Sequence, residues 1–567
     1  MNFILEKEFE MMQKRVKGYR KNNLINQLLS VYEVKKYNLK NVEIGIDLDT
    51  DEIFSIDFSK SKRIVVIGQT GCFPLRQELL IDNKIIEIGK LKLNEEFNVK
   101  SYNFKENKIE NDILKIIDSG KKNIFKVETE DGRFVEASNK HIFYVKKGNK
   151  FIETMLKDLK ANDNIIVSDY MIKTVKIKSI KLIGKEDTRD IMVKKNNNTI
   201  LPNGIIAHNT GKTTLNSNII DRCNLGGMSV FSVDLKGEYI YKRQPLQENM
   251  KKFLLPDEIP TGMDIQTIYP MFLQKITNYE LNTEVEEKLL MFPLNKLNFL
   301  DFRNIANISS ENANMLIDSI TSSGQTFNTF EDFREYVLLS DIASISKTGL
   351  INKMKMLIEQ KVFIDGDMKP EEEFSIINEL SKGKIVNYNQ KGIMSFLDIQ
   401  LAGIACSYLG VILNSIYNAK LLGGLDRKLP LLISMDETSI FVPRNQMTTS
   451  KLAFLNLLKL SRSELISIYA CAQDWRYMPD DLIRQADFVF FSYKTEVNDL
   501  LDFVTNFFPA FYPAGDRKIR QNIMELLSTM KLKKSGARPW LVFNMQTKDW
   551  ARILPSVPLS ALYVEGE

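Results

Sequence analysis

The stretch Ile64–Glu78 reads IVVIGQTGCFPLRQE. It opens as a phosphate-binding loop opens, with an apolar run followed by Gly68-Gln69-Thr70-Gly71. The pattern G-x-x-x-x-G-K-[ST] then requires one further residue and Gly-Lys-Ser/Thr. The chain instead continues Cys72-Phe73-Pro74. The missing half stands downstream, where Ile206–Thr214 reads IAHNTGKTT. Joining Gly71 to Thr210 restores the whole motif: Gly68, Gln69, Thr70, Gly71, Thr210, Gly211, Lys212, Thr213, Thr214.

The interrupting segment, residues 72–209, has its own texture. Short apolar or alternating runs, such as Lys84–Ile88, Phe125–Thr129, His141–Val145, Asn164–Val167 and Thr174–Lys178, are separated by turn signals at Asp131-Gly132, Lys147–Asn149 and Asn203-Gly204. That pattern predicts many short strands and an all-β domain.

Its ends carry chemistry. Cys72 is the first residue, and sulfur is an intrinsically strong nucleophile toward the preceding carbonyl. Converting an amide to a thioester is uphill, so the departing nitrogen needs a proton, which an imidazole supplies as general acid. The whole chain holds two histidines, His141 and His208. His141 ends the run Gly132–His141, in which Ser138 stands three residues before it. His208 and Asn209 close the segment, and Thr210 follows with a hydroxyl.

These residues resemble the inteins, self-splicing domains of the Hint fold. Gly132–His141 is similar to their G…T-x-x-H block, with Ser138 in place of Thr. Arg189-Asp190-Ile-Met-Val193 and Asn203–Asn209 resemble their C-terminal blocks, and Phe151–Asp163 resembles the segment between the two ends. The resemblance implies that Cys72 forms the thioester with help from Ser138 and His141. Thr210 then takes over the acyl group, Asn209 cyclises beside His208, and Asp190 couples the steps. Singly, each residue has an ordinary structural explanation. Here both histidines fall on the two family positions, and joining the ends rebuilds a known motif. The segment is too short to carry a LAGLIDADG homing endonuclease, so it resembles a mini-intein. Leu401–Ile404 lies outside it and reads as a small-residue helix face.

With 138 residues removed, 429 of the 567 remain. The expected buried strand 63–67, the restored loop and a helix over 215–222 form the strand–loop–helix context of a P-loop. Its backbone N–H groups and helix N-terminus hold phosphates. Lys212 would reach the β/γ-phosphates of ATP and Thr213 would bind Mg²⁺. Leu429–Glu437 is an apolar run ending in Asp436-Glu437, a Walker B pattern in which Asp436 holds Mg²⁺ and Glu437 polarises the attacking water. A third strand ends at Gln473, either a γ-phosphate sensor or a turn residue. Phosphoryl transfer often needs an arginine. Arg484 and Arg462 are candidates for a finger donated to a neighbouring subunit, or else surface ion-pair partners.

Val230–Tyr239, with its D-x-x-G-E-Y, Ile433–Glu437, Ala472-Gln473 and Gln485–Ser492 resemble the FtsK/HerA group of P-loop motors. That resemblance covers roughly 55–71, 210–245 and 385–500. It implies an α/β core of RecA-like, additional-strand type and a hexameric ring that moves double-stranded DNA.

The expected organisation is an accessory segment at 1–54, whose charged start reads as a helix, and an ATPase core at 55–71 plus 210–249. The all-β Hint/intein domain follows at 72–209 in this numbering, then a mainly helical insertion at 250–384 and the second part of the core at 385–567. Two other readings fit the residues: a nucleotide-dependent switch that keeps its β insertion permanently, and a packaging- or conjugation-type ATPase.

Composition is compatible with all three. The chain is 44% hydrophobic and 26% charged with a net charge of +5, which permits nucleic-acid binding without arguing for it. Four scattered cysteines exclude a C-x-x-C zinc site and make a disulfide framework unexpected. The N-terminus has no signal-peptide core, and no apolar run reaches the roughly 18 residues of a membrane span. A cytoplasmic protein is expected.

Overall fold

The structure, a computed structural model, describes residues 37–561 apart from 69–71, 83, 93–94, 104–107, 140, 148–149, 170, 194–197, 209–211, 236, 278, 283–285, 297–298, 300–301, 304–305, 307, 367–374, 392–398, 493–494, 496, 514 and 529–538. The expected helix at the charged start lies outside the described residues. So do Gln69, Thr70, Gly71, Asn209, Thr210 and Gly211, and the side chains of His208, Lys212 and Thr213.

The chain enters through β1 (Val42–Asp47), β2 (Ile53–Ile56) and β3 (Arg63–Ile67). All five residues of β3 are buried: Ile64–Ile67 as a continuous apolar run requires when both faces of a sheet are covered, and Arg63 through bonds to Ser461 and Gln485.

Residues 72–208 then form a β domain of their own. Its strands are β4 (Phe73–Pro74), β5 (Glu78–Ile81), β6 (Lys84–Glu87), β7 (Glu96–Asn103), β8 (Lys108–Thr129) and β9 (Phe134–Ser138). They continue with β10 (Ile142–Lys147), β11 (Lys150–Met155), β12 (Asn164–Asp169), β13 (Met171–Val193), β14 (Asn198–Ile200) and β15 (Ile206–His208). Ten of them join in the order β14-β15-β10-β12-β13-β8-β7, with β11 on β10, β4 on β13 and β9 on β8. The runs at 125–129 and 174–178, expected as short strands, are parts of β8 and β13, which span 22 and 23 residues. Their ladder shifts register at Ile177/Ser179, Leu182/Gly184 and Thr188/Arg189. Such irregularities bend a strand without ending it, so two strands serve both ends of the domain.

The chain returns through α1 (Lys212–Leu225), β16 (Ser229–Asp234), β17 (Ile265–Pro270) and β18 (Lys288–Leu290). The helices α2 (Glu311–Ser323), α3 (Phe330–Leu339) and α4 (Ser344–Glu359) follow, then β19 (Ile385–Asn389), α5 (Ile399–Leu422) and β20 (Leu431–Met435). The last elements used below are α6 (Thr449–Leu460), β21 (Ile466–Ala472), α7 (Asp480–Gln485), β22 (Phe488–Ser492), β23 (Trp540–Asn544) and β24 (Trp550–Pro555). The stretch 250–384, expected as mainly helical, holds α2–α4 but also sends β17 and β18 to the sheet, where they form one end of it. At Gly410 of α5 an added Cβ would lie 2.7 Å from Thr449 Cγ2, so the close helix contact is made there and not at Gly403.

These strands form a 12-stranded sheet ordered β18-β17-β19-β16-β20-β21-β3-β22-β23-β24-β1-β2. It is parallel from β18 to β22 and antiparallel from β23 onward. Alternate side chains leave opposite faces of a strand. Ile64 and Val66 therefore pack with Leu215, Ile219 and Cys223 of α1, while Val65 and Ile67 join the core that holds Tyr408, Leu409 and Ile412 of α5. No helix among the described residues is long and apolar enough to cross a membrane.

The segment after β24 turns back onto α1 through buried charges. The Asp221 carboxylate pairs with Lys242 and accepts from the backbone N–H of Leu559 and Ser560, both at 2.9 Å. Arg222 donates to both oxygens of Glu258, at 2.9 and 2.6 Å, and to the Ser556 hydroxyl at 2.9 Å. Both ion pairs are fully buried. Burial pulls the Lys242 ammonium below its usual range, and the Asp221 charge opposes that. Removing one member of such a pair costs about 3–5 kcal/mol, because it strands the other charge. Asp221→Ala is therefore expected to lower the host's denaturation midpoint and expose the 556–561 segment to protease. An unchanged midpoint would refute this account.

Candidate functional site

The first site lies at the ends of the β domain. Cys72 is completely buried, just before β4. Its N–H donates to Ser138 Oγ at 2.9 Å, and its carbonyl accepts from the Ser138 N–H at 2.8 Å. One small residue thus holds both sides of the Cys72 backbone, including the nitrogen of the Gly71–Cys72 peptide bond.

Ser138 also accepts, through its carbonyl, from the His141 N–H at 2.9 Å. The His141 carbonyl accepts from Leu156 N–H at 2.8 Å. This short turn swings the fully buried imidazole against Phe73, the residue after Cys72, with ring centroids 4.2 Å apart, and against Phe143 at 5.0 Å. Antiparallel pairing of Thr188 with Pro74 and of Arg189 with Phe73 places buried Asp190 next in line, at Cys72. Its Oδ1 accepts from the Ile191 N–H at 2.9 Å. Arg189 fixes that register by donating to the Ile88 carbonyl at 2.7 Å.

The downstream end arrives at the same place. In β15, Ala207 pairs with Phe143 of β10 and His208 with Asn198 of β14. Because β15 runs antiparallel to β10, the chain at His208 heads toward Ile142 and His141. Cys72, Ser138, His141 and Asp190 are therefore gathered, and the end described through His208 converges on them. Arg76 is a member of this neighbourhood that the sequence motifs missed. It bridges Glu136 of β9, at 2.7 Å, and Glu186 of β13. Only its place four residues after Cys72 marks it.

The second site is the carboxyl-end edge of the parallel strands. There ligands bind in open α/β sheets. The register aligns Ile67 with Ala472, Met435 with Ala470 and with Val233, and Asp234 with Asn389. Gly68, Gln473, Asp436 and Glu437 all follow these ends. Gly68 N–H donates to the Ala472 carbonyl at 3.0 Å, which sets Gln473 beside it. Asp436 is buried, and Glu437 accepts from the Ser439 hydroxyl at 3.1 Å. Thr214 is partly buried near the start of α1. Among the described residues no group of three or more His, Cys, Asp or Glu could hold a metal. Asp436 is a single carboxylate at this edge, a sparse donor of the kind that Mg²⁺ accepts when phosphates complete its shell.

The D-x-x-G-E-Y run has a structural reason. Asp234 Oδ1 accepts from Gly237 N–H at 2.8 Å and Oδ2 from Tyr239 N–H at 2.9 Å. Gly237 takes φ +69° there, and a Cβ would lie 3.1 Å from Lys391 Cδ. The Tyr239 hydroxyl accepts from Asn216 of α1 at 2.5 Å, and Asn216 accepts from Ser434 of β20 at 2.7 Å. This chain ties α1 to the strand that ends at Asp436, and nothing in the motifs announces Asn216.

The two arginine candidates lie elsewhere. Arg484 is exposed on α7 and stacks over the Phe507 ring at 5.3 Å. The next residue, Gln485, accepts from Arg63 at the start of β3. Exposed Arg462 follows Ser461, whose hydroxyl also accepts from Arg63, at 2.9 Å. Both sit at the amino-end edge of the sheet, away from Asp436 of the same chain. Arg476, three residues after Gln473, is the guanidinium at the carboxyl-end edge that sequence reading passed over. It is held by Asp474 at 2.9 Å, Asp499 at 3.2 Å and Asp502 at 2.8 Å.

No family model matches the chain, and no curated protein matches it. Among solved structures, the chain is similar over about a quarter of its length to inteins. One is an Ssp DnaB mini-intein variant, at 20% identity, covering 26% of this chain and 98% of that one, with a TM-score of 0.24. Another is a DnaB intein from Synechocystis sp. PCC 6803, at 23% identity, covering 25% and 99%, with a TM-score of 0.23. A third is the TvoVMA intein, at 21% identity, covering 25% and 98%, with a TM-score of 0.22.

The hydrogen bonding makes a direct forecast. In a Cys72→Ala, Asn209→Ala background, Ser138→Ala removes the acceptor of the residue-72 N–H. A net hydrogen bond is worth about 1 kcal/mol, so exchange of that amide with solvent should quicken about fivefold. Ser138→Thr should leave it protected. Equal protection in all three chains would show that the serine hydroxyl does not hold Cys72.

Proposed function

We propose that the chain is a precursor that excises residues 72–209 and joins Gly71 to Thr210, giving an ATP-hydrolysing motor. The observation that carries this reading is the reciprocal grip of Ser138 on Cys72. It comes with the His141 ring one residue away and the downstream end running to the same turn.

The chemistry follows from those positions. Cys72 Sγ attacks the Gly71 carbonyl carbon, the C–N bond breaks, and the thiol proton's equivalent ends on the new Cys72 amine. His141, whose ring packs on Phe73, would supply the acid for that nitrogen, and Ser138 orients the nitrogen through its hydroxyl. The Thr210 hydroxyl attacks the thioester and releases the thiol. The Asn209 side-chain nitrogen then attacks its own carbonyl, forming a cyclic imide and freeing the Thr210 amine, with His208 adjacent to move the proton. The ester shifts from Thr210 oxygen to nitrogen. Two peptide bonds are lost, one peptide bond and one imide are formed, and no water is consumed. Asp190, next in line after the Arg189–Phe73 pair, would act on the Cys72 thiol.

For the product, support comes from the sheet. β21 lies between β3 and β20, the additional-strand order, and Gly68, Gln473, Asp436 and Glu437 share one edge. In the joined loop, Lys212 would meet the β/γ-phosphates, while Thr213 and Asp436 would hold Mg²⁺, which supplies charge neutralisation when bound. Glu437 would orient the attacking water. A hexameric ring acting on double-stranded DNA follows from the motifs shared with the FtsK/HerA group. Arg484 or Arg462, at the edge away from Asp436 of the same chain, would be donated to a neighbouring subunit.

Mass analysis of freshly made protein tests the first half. Products of 429 and 138 residues are expected, whereas a lasting 65.4 kDa chain would defeat the proposal and favour a retained insertion. For the second half, a Cys72→Ala, Asn209→Ala precursor should hydrolyse ATP poorly. In the spliced protein Glu437→Gln should lower turnover by about 10²-fold or more, and DNA should stimulate the parent. Wild-type turnover by the unspliced precursor would remove the loop-assembly argument.

A further inference from the structure

Strand β10 shows two different neighbourhoods. Phe143 and Val145 face one way and pack in the β domain's own core with Phe73 and Ala207. Ile142, on the opposite face, does not join that core. It is instead fully buried, in the core that holds Val65 and Ile67 of β3. Its cross-strand partner is Met155 of β11, which packs against that same host core. The root of the β10–β11 hairpin is thus an apolar foot planted in the host, and Ile142 is covalently next to His141.

A polar contact accompanies it. Glu96 of β7 meets Lys391 of the host at 3.2 Å, with side-chain exposures of 30% and 27%. Lys391 is held firmly on the host side. Its N–H donates to Asn389 at 2.9 Å, its carbonyl accepts from the Tyr269 hydroxyl at 2.6 Å, and its ammonium lies 5.8 Å from the Tyr279 ring centre.

We infer that the folded host is a positioning partner for the splicing site. The Ile142–Met155 foot and the Glu96–Lys391 pair form a docking surface that steadies the Ser138–His141 turn against Cys72. This rests on the splicing reading and adds to it that the rate depends on host residues far from both junctions in sequence. Ile142 and Met155 act through His141 and are positioning residues.

The test is made on the full chain, following loss of the 65.4 kDa precursor with time and, separately, thiol-induced cleavage at Cys72. A part-exposed ion pair is a small term, so Glu96→Lys or Lys391→Glu alone should slow both readouts about threefold. The double exchange should return them to within about twofold of the parent. Met155→Ala should slow them about tenfold and Met155→Leu should restore them. Rescue by the exchanged pair distinguishes docking from simple loss of stability. Parent-like rates in the single charge variants and in Met155→Ala would overturn the inference while leaving splicing intact. A parent that never shortens would end the splicing reading itself.

Discussion

One backbone amide sets the geometry of the β domain's junction. The Cys72 peptide group is gripped on its N–H by the Ser138 hydroxyl and on its carbonyl by the Ser138 N–H. Both residues are buried, so each polar group must be satisfied there or pay the full desolvation penalty. Ser138 is small enough to do this inside the core. The neighbouring features follow from it: β4 starts in register with β13, Asp190 comes level with Cys72, and the turn to His141 presents the ring to Phe73. A hydroxyl-free residue at 138 would unsettle all of them together.

The host shows the complementary situation. With the β domain still in place, β3 is complete to Ile67 and α1 begins at Lys212. The framework on either side of the divided loop is already assembled. α1 is fastened by Asn216 to Tyr239 and Ser434, by Asn218 to the Ile44 carbonyl, and by Asp221 and Arg222 to the segment after β24. On the proposed reading, what the precursor lacks is continuity over a few loop residues rather than a folded enzyme. Lys391, which faces Glu96 across the seam, sits at the same strand-end edge as Asp234.

Much of this was legible in the residues, for physical reasons that can be named. The run at 64–67 had to be a buried strand because it offers no polar face. The apolar runs before Asp436 and Gln473 read the same way. Cys72, Ser138, His141 and the Asn203–His208 ending were legible because reactive residue types are few here and their spacing matched a pattern. Three things were not legible. The merging of short runs into β8 and β13 depends on bulges, which have no strong local signal. The entry of β17 and β18 into the sheet from a stretch read as helical depends on tertiary partners. The Asp221–Lys242 and Arg222–Glu258 pairs join residues distant in sequence, and charged residues on a helix look like a solvated face until something covers them.

Among the described residues the two large sheets share no strand: every ladder partner of β4–β15 lies within the β domain, and the host sheet is built wholly from residues outside it. Departure of the middle segment would therefore sever no rung in the sheet that stays behind. The larger protein would keep its pairing and its strand order, and would uncover its core only where Ile142 had been seated. A freed segment would likewise carry away its own hydrogen-bonded scaffold whole, bare only where its apolar foot had been covered.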